Sequence, residues 1–167
     1  MIKSFLSAAA LLYSVTTTAS NDPLNVMYEG LDLKLPPNPV TVALSKWGDN
    51  ALFVKYSKEK EEKRIAMSKT DIPEATTKEC PADLLLHDFF TTNVNSTCPK
   101  DNIRVLSDTF IAGADNGVWE GKSHKFYYTV KANKAVVFVV KPDKSVVHIE
   151  SNMHNRPQLK SLLSNYF

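Results

Sequence analysis

The chain has little of several things that usually announce a function. Of its 167 residues only two are cysteines, Cys80 and Cys98, and five are glycines. Two thiols cannot build a four-thiolate zinc site, and they are too few for a disulfide-dense miniature scaffold. The formal charge is only +2, so the basic field of a duplex-DNA binder is missing. No apolar run approaches the ~20 residues of a bilayer-spanning helix, which excludes stable membrane insertion by that route. No enzyme signature, internal repeat or low-complexity tract stands out. What is present is apolar content of 43%, enough for the core of one folded domain.

The first residues read as an address. Lys3 is the positive start, residues 5–13 are a short apolar stretch, and Thr17 and Ala19 are small residues before a cut. The expectation is a signal peptide over 1–19 and a single domain over 20–167, in a secreted protein. Loss of Lys3 with the signal takes one positive charge off an already small balance. An oxidising route favours a Cys80–Cys98 disulfide. Asn95-Ser96-Thr97, between those cysteines, is a glycosylation sequon. A nucleophilic cysteine is disfavoured, because there is no C-x-x-C and no base beside either thiol.

Residues 21–39 form a proline-containing lead-in. Alternation then predicts strands over 40–44 and 52–56, around the turn chemistry of Trp47-Gly48-Asp49-Asn50, and another over 65–68. The mixed charge run 58–64 reads as a solvated hairpin tip. Pro81 and Asp83 open a short apolar helix through Phe90, in which His87 reads as structural. A strand is expected over 103–106 and a Gly/Asn loop over 112–117. Strands follow over 125–132, 135–140 and 145–150. Continuous apolarity makes the 135–140 segment a central strand covered on both faces. Leu159, Leu162, Leu163 and Tyr166 recur at helical spacing, which predicts an amphipathic helix over 156–167. The fold class is α+β: an antiparallel meander with a short central helix and a C-terminal amphipathic helix, both packed on one face.

One stretch carries a family likeness. It runs Phe110-Ile111, a Gly/Asn loop, Gly117-Val118-Trp119, Gly121, Tyr128-Thr129-Val130, Asn133 and a valine-rich strand, over about 30 residues. It resembles the central part of the fungal guanyl-specific ribonucleases and, in outline, the ribonuclease-like secreted effectors of powdery mildew fungi. RNA cleavage of that type needs a carboxylate base, a histidine acid and donors on the phosphate. The family's base position falls on Thr109, with Asp108 beside it, and its phosphate arginine position falls on Thr129. Its acid histidine position lies near Lys144, with His148 four residues on. The catalytic set is not reproduced, so the resemblance implies a scaffold kept for binding.

The leading expectation is therefore a secreted, non-catalytic, effector-like virulence protein. It would be a monomer that binds a host protein or RNA, with delivery into host cells as a further step. One alternative is a secreted ribonuclease with relocated groups: His148 and Glu150 share a strand face, and His154 and Arg156 follow closely. The other is a β-rich ligand-binding or inhibitory module, cystatin-like or lipocalin-like, whose strands before Pro73 join one sheet with those after Phe110. Trp119, Tyr127 and Tyr128 are candidate base-stacking residues, set against a core role. No cofactor is expected. No metal is expected either, since the H-x-E-x3-H spacing at a strand end is not a known tight cage.

Overall fold

The computed structural model describes residues 21–45, 50–58, 63–70, 80–91, 98, 113–132 and 134–167. The expected signal peptide, the Asn95 sequon, the 103–106 strand, and Asp108 and Thr109 lie outside these residues, as does most of the 58–64 charge run.

Nine strands and two α-helices are described, and the class is α+β. β1 (Leu24–Tyr28) and β2 (Leu31–Leu35) form a two-stranded hairpin. The other seven strands are β3 (Thr41–Leu44), β4 (Leu52–Lys55), β5 (Arg64–Thr70), β6 (Asp115–Glu120), β7 (Lys125–Lys131), β8 (Lys134–Val140) and β9 (Val146–Ser151). They make one antiparallel sheet in the order β3-β4-β5-β9-β8-β7-β6. Two meanders, β3 to β5 and β6 to β9, are thus joined edge to edge where β5 pairs with β9. α1 (Ala82–Thr91) and α2 (Arg156–Leu162) complete the fold with a 3₁₀ turn over Ser164–Tyr166.

The sheet is covered on both sides. On one face, Leu86, Phe89 and Phe90 of α1 pack on Tyr127, Val136, Phe138, Val140 and Val146. On the other, the hairpin leucines Leu31, Leu33 and Leu35 join Leu159 and Leu162 of α2 over Val54, Ile65, Val137 and Ile149. The two helices therefore sit on opposite faces, not on one. The reason is in β8, whose residues 135–140 are all buried, as its unbroken apolarity requires.

Three further expectations are corrected. The proline lead-in hides the β1–β2 hairpin, closed by Glu29 and Gly30 at φ 48° and 78°, the pair of positive angles a two-residue turn needs. The expected loop over 112–117 ends early, because β6 begins at Asp115. Gly117 is a strand residue: a Cβ there would lie 2.9 Å from the Tyr128 hydroxyl, and its absence lets that ring lie across β6. The C-terminal helix stops at Leu162 instead of continuing to Phe167. The tighter turn after it lets the Tyr166 hydroxyl accept from Asp32 N–H at 2.6 Å, and its carbonyl accept from Lys122 N–H at 2.9 Å. α2 starts on a reciprocal cap: Asn155 Oδ1 accepts from Gln158 N–H, and Gln158 Oε1 accepts from Asn155 N–H.

Candidate functional site

His148 and Glu150 lie two apart on β9 and point to the α1 face, as a strand requires. The His148 ring stacks on Phe138 across the β8–β9 pair, with centroids 5.1 Å apart. Its Nε2 is buried without a hydrogen-bond partner. Burial pushes the His148 pKa down, and nearby Glu150 only partly offsets this. Glu150 is engaged elsewhere: Lys134 Nζ lies 3.1 Å from it and Arg64 3.7 Å, so it ties β8 and β5 to β9.

His154 is on the other side of the sheet. Ser151, which pairs with Ile65 and Ala135 in the hairpin-facing row, holds its Nδ1 at 2.5 Å. Met153 N–H donates to the same Ser151 hydroxyl at 3.2 Å. His154 lines a hollow of about 400 Å³ with Pro36, Pro37 and Met153, and burial also holds its pKa down. Thus the sheet divides the candidate acid–base residues, with His148 and Glu150 on one face and His154 on the other.

The aromatic candidates are core residues. Trp119 and Tyr128 are buried on the hairpin face and stack on each other at 4.2 Å. Tyr127 is buried on the opposite face beside Phe90. Arg156 lies 5.0 Å over the Tyr128 ring and 3.5 Å from Asp115, while Lys160 lies 5.8 Å over Trp119. One turn apart on α2, these two cations close over the aromatic pair. An open stacking platform for bases is not formed by these three rings.

A second hollow, of about 310 Å³, opens beside α1 between His87 and the ends of β7 and β8. Lys125, Lys141 and Lys144 line it, with Asp83 and Tyr127. Two of the lysines are structural ties: Lys141 Nζ donates to the Glu29 carbonyl at 3.0 Å, and Lys144 pairs with Asp83. His87 Nδ1 is buried here without a partner. Sequence reasoning missed this hollow, since its residues come from three separate segments with no spacing signal. Among the described residues, no group of three His, Cys, Asp or Glu side chains is placed to hold a metal ion. No described helix is long and apolar enough to cross a membrane.

No family model, curated protein or solved structure matches this chain.

Two half-buried histidines make stability depend on pH. Burial lowers the pKa of both His148 and His154 in the folded state, whereas in the unfolded chain they take up a proton near pH 6.5. The unfolded state then binds more protons in mild acid, so stability present above that pH is lost as pH falls through it. The slope is at most about 1.4 kcal/mol per pH unit for each histidine. Urea unfolding at several pH values between neutral and mildly acidic checks this. His148→Phe, which keeps the stack on Phe138, is expected to flatten the profile, and an unchanged slope would remove His148 from the account.

Proposed function

We propose that this chain is an exported, effector-like binding protein with a ribonuclease-like sheet, which engages a host target without cutting RNA. The observation that carries the reading is the division of His148 and Glu150 from His154 by the sheet itself. General acid–base cleavage needs both groups within reach of one phosphodiester. Export is supported by the N-terminal address and by the Cys80–Cys98 disulfide. The ribonuclease-like part of the reading is supported by the antiparallel sheet over β6 to β9 with α1 laid across one face. The opposite face is filled by the hairpin and α2, which leaves no sheet floor there for an RNA strand. The burial of Trp119, Tyr127 and Tyr128 favours a protein target over RNA.

Incubation of the purified protein with total RNA, from acid to neutral pH, tests this reading. The expected result is intact RNA throughout. Rapid cleavage that disappears in His148→Ala would replace the binding role with a relocated ribonuclease site.

One observation favours a β-rich ligand-binding or inhibitory module instead: β3, β4 and β5 share a single sheet with β6 to β9. A thermal shift on adding a lipid, a sugar or a protease would select that reading.

A further inference from the structure

The two edges of the large sheet are built differently. Natural sheets guard their edges with charge, proline or a bulge, because an open edge is a template for another strand. The β6 edge carries Asp115 and Glu120, with Asp115 beside Arg156. The β3 edge, Thr41-Val42-Ala43-Leu44, has no charged residue, and all four residues are exposed. Val42 and Leu44 alternate and so share one face, at 52% and 58% exposure. Val42 and Leu44 stand beside the buried Val54 and Leu52 of β4, so this stripe carries the apolar floor under the hairpin out to solvent.

The ladder shows which backbone groups face outward. Ser45 N–H donates to the Ala51 carbonyl at 2.8 Å, continuing the Leu44–Leu52 register. Antiparallel alternation then gives the inward bonds to Thr41, Ala43 and Ser45. The N–H and C=O groups of Val42 and Leu44 point away from β4.

We propose that β3 pairs antiparallel with β3 of a second copy of this chain, about a two-fold axis through Ala43. Val42 of each copy lies opposite Leu44 of the other, and the four outward N–H groups meet the four outward carbonyls. Ala43 faces its own copy, and Thr41 faces Ser45. Over residues 41–45 each cross-strand pair is matched in kind: valine with leucine on one face, alanine with alanine and hydroxyl with hydroxyl on the other. This matching is the argument for a second copy over a foreign strand. With no charge on the strand and only +2 on the chain, two copies meet without strong repulsion. A strand pair this short buries less than a standard interface, so the dimer forms in proportion to concentration.

Sedimentation velocity of the purified, disulfide-intact protein across a concentration series tests the proposal. The sedimenting mass is expected to double as concentration rises. Ala43→Lys sets two ammonium groups face to face at an exposed position, and Ala43→Glu two carboxylates. Each is expected to raise the dimerisation midpoint roughly tenfold or more. An equimolar mixture of the two variants is expected to dimerise again. Hydrogen exchange supplies a readout free of substitutions: the Val42 and Leu44 amides should gain protection with concentration, and the Thr41 and Ala43 amides should not. Four outcomes would overturn the proposal. They are a wild-type monomer up to roughly millimolar concentration, single variants that dimerise like wild type, a mixture that stays monomeric, and β3 amides protected only when an added target protein is present.

Discussion

Replacing Phe126 by alanine is expected to lower the unfolding free energy by about 3–5 kcal/mol, the largest loss from any single aromatic in this core. Phe126 is fully buried on β7, between Trp119 of β6 and Val139 of β8. The rings of Phe167 and Tyr166 lie 5.2 and 5.9 Å from it. Gly121 also depends on this ring: a Cβ there would sit 2.7 Å from Phe126 Cε2 and 2.9 Å from the Tyr166 carbonyl. Trp119 and Val139 are fixed in the ladder and Tyr166 is tied to Asp32 and Lys122, so the site collapses poorly and the cavity persists. Urea unfolding should show a lower midpoint with an unchanged slope. Phe53→Ala, at an exposed position on β4, is the control and should cost less than ~1 kcal/mol. A loss at Phe126 as small as that control would mean that the C-terminal residues do not pack as described.

Removing the disulfide is the second large effect. Cys80 and Cys98 are 18 residues apart and both buried, with Leu85 of α1 packed against them. The chain-entropy model assigns a loop of that length about 3 kcal/mol. The paired Cys80→Ser and Cys98→Ser variant should therefore melt well below the wild type, and a reducing agent should bring the wild type down to match it. The loss has a location. α1 covers Tyr127, Val136 and Phe138, so a loosened helix exposes the apolar face of β7 and β8. Binding of a hydrophobic dye at temperatures where the wild type binds none should accompany the shift. If the serine variant melts like the wild type, α1 is held by its apolar contacts alone.

Much of this architecture was readable from one-dimensional patterns. The strands β7, β8 and β9 and the helix α1 follow from apolar runs between turn residues, and the covered position of β8 follows from its composition. The β1–β2 hairpin was hidden because Pro23, Pro36 and Pro37 flank it, although Leu31, Leu33 and Leu35 do alternate. Gly117 and Asn116 read as loop residues because turn chemistry is their commonest use, whereas here a neighbouring ring needs the room. Periodicity says that a helix has an apolar side. It does not say which sheet face receives it, so the opposite placement of α1 and α2 was not legible. The site shows the same limit. That His148 and Glu150 share a face follows from the strand period, but His154 lies beyond the last strand residue, Ser151, where that period no longer applies.

The β5–β9 pairing has a consequence for how the molecule comes into being. Residues 64–70 find their second neighbour only in residues 146–151, so the amino-terminal meander stays half-zipped until almost the whole polypeptide has been synthesised. Contacts this distant along the chain make for slow folders, on a scale of roughly milliseconds to seconds. A protein that completes its sheet so late keeps one edge of its first meander open until the last strand arrives.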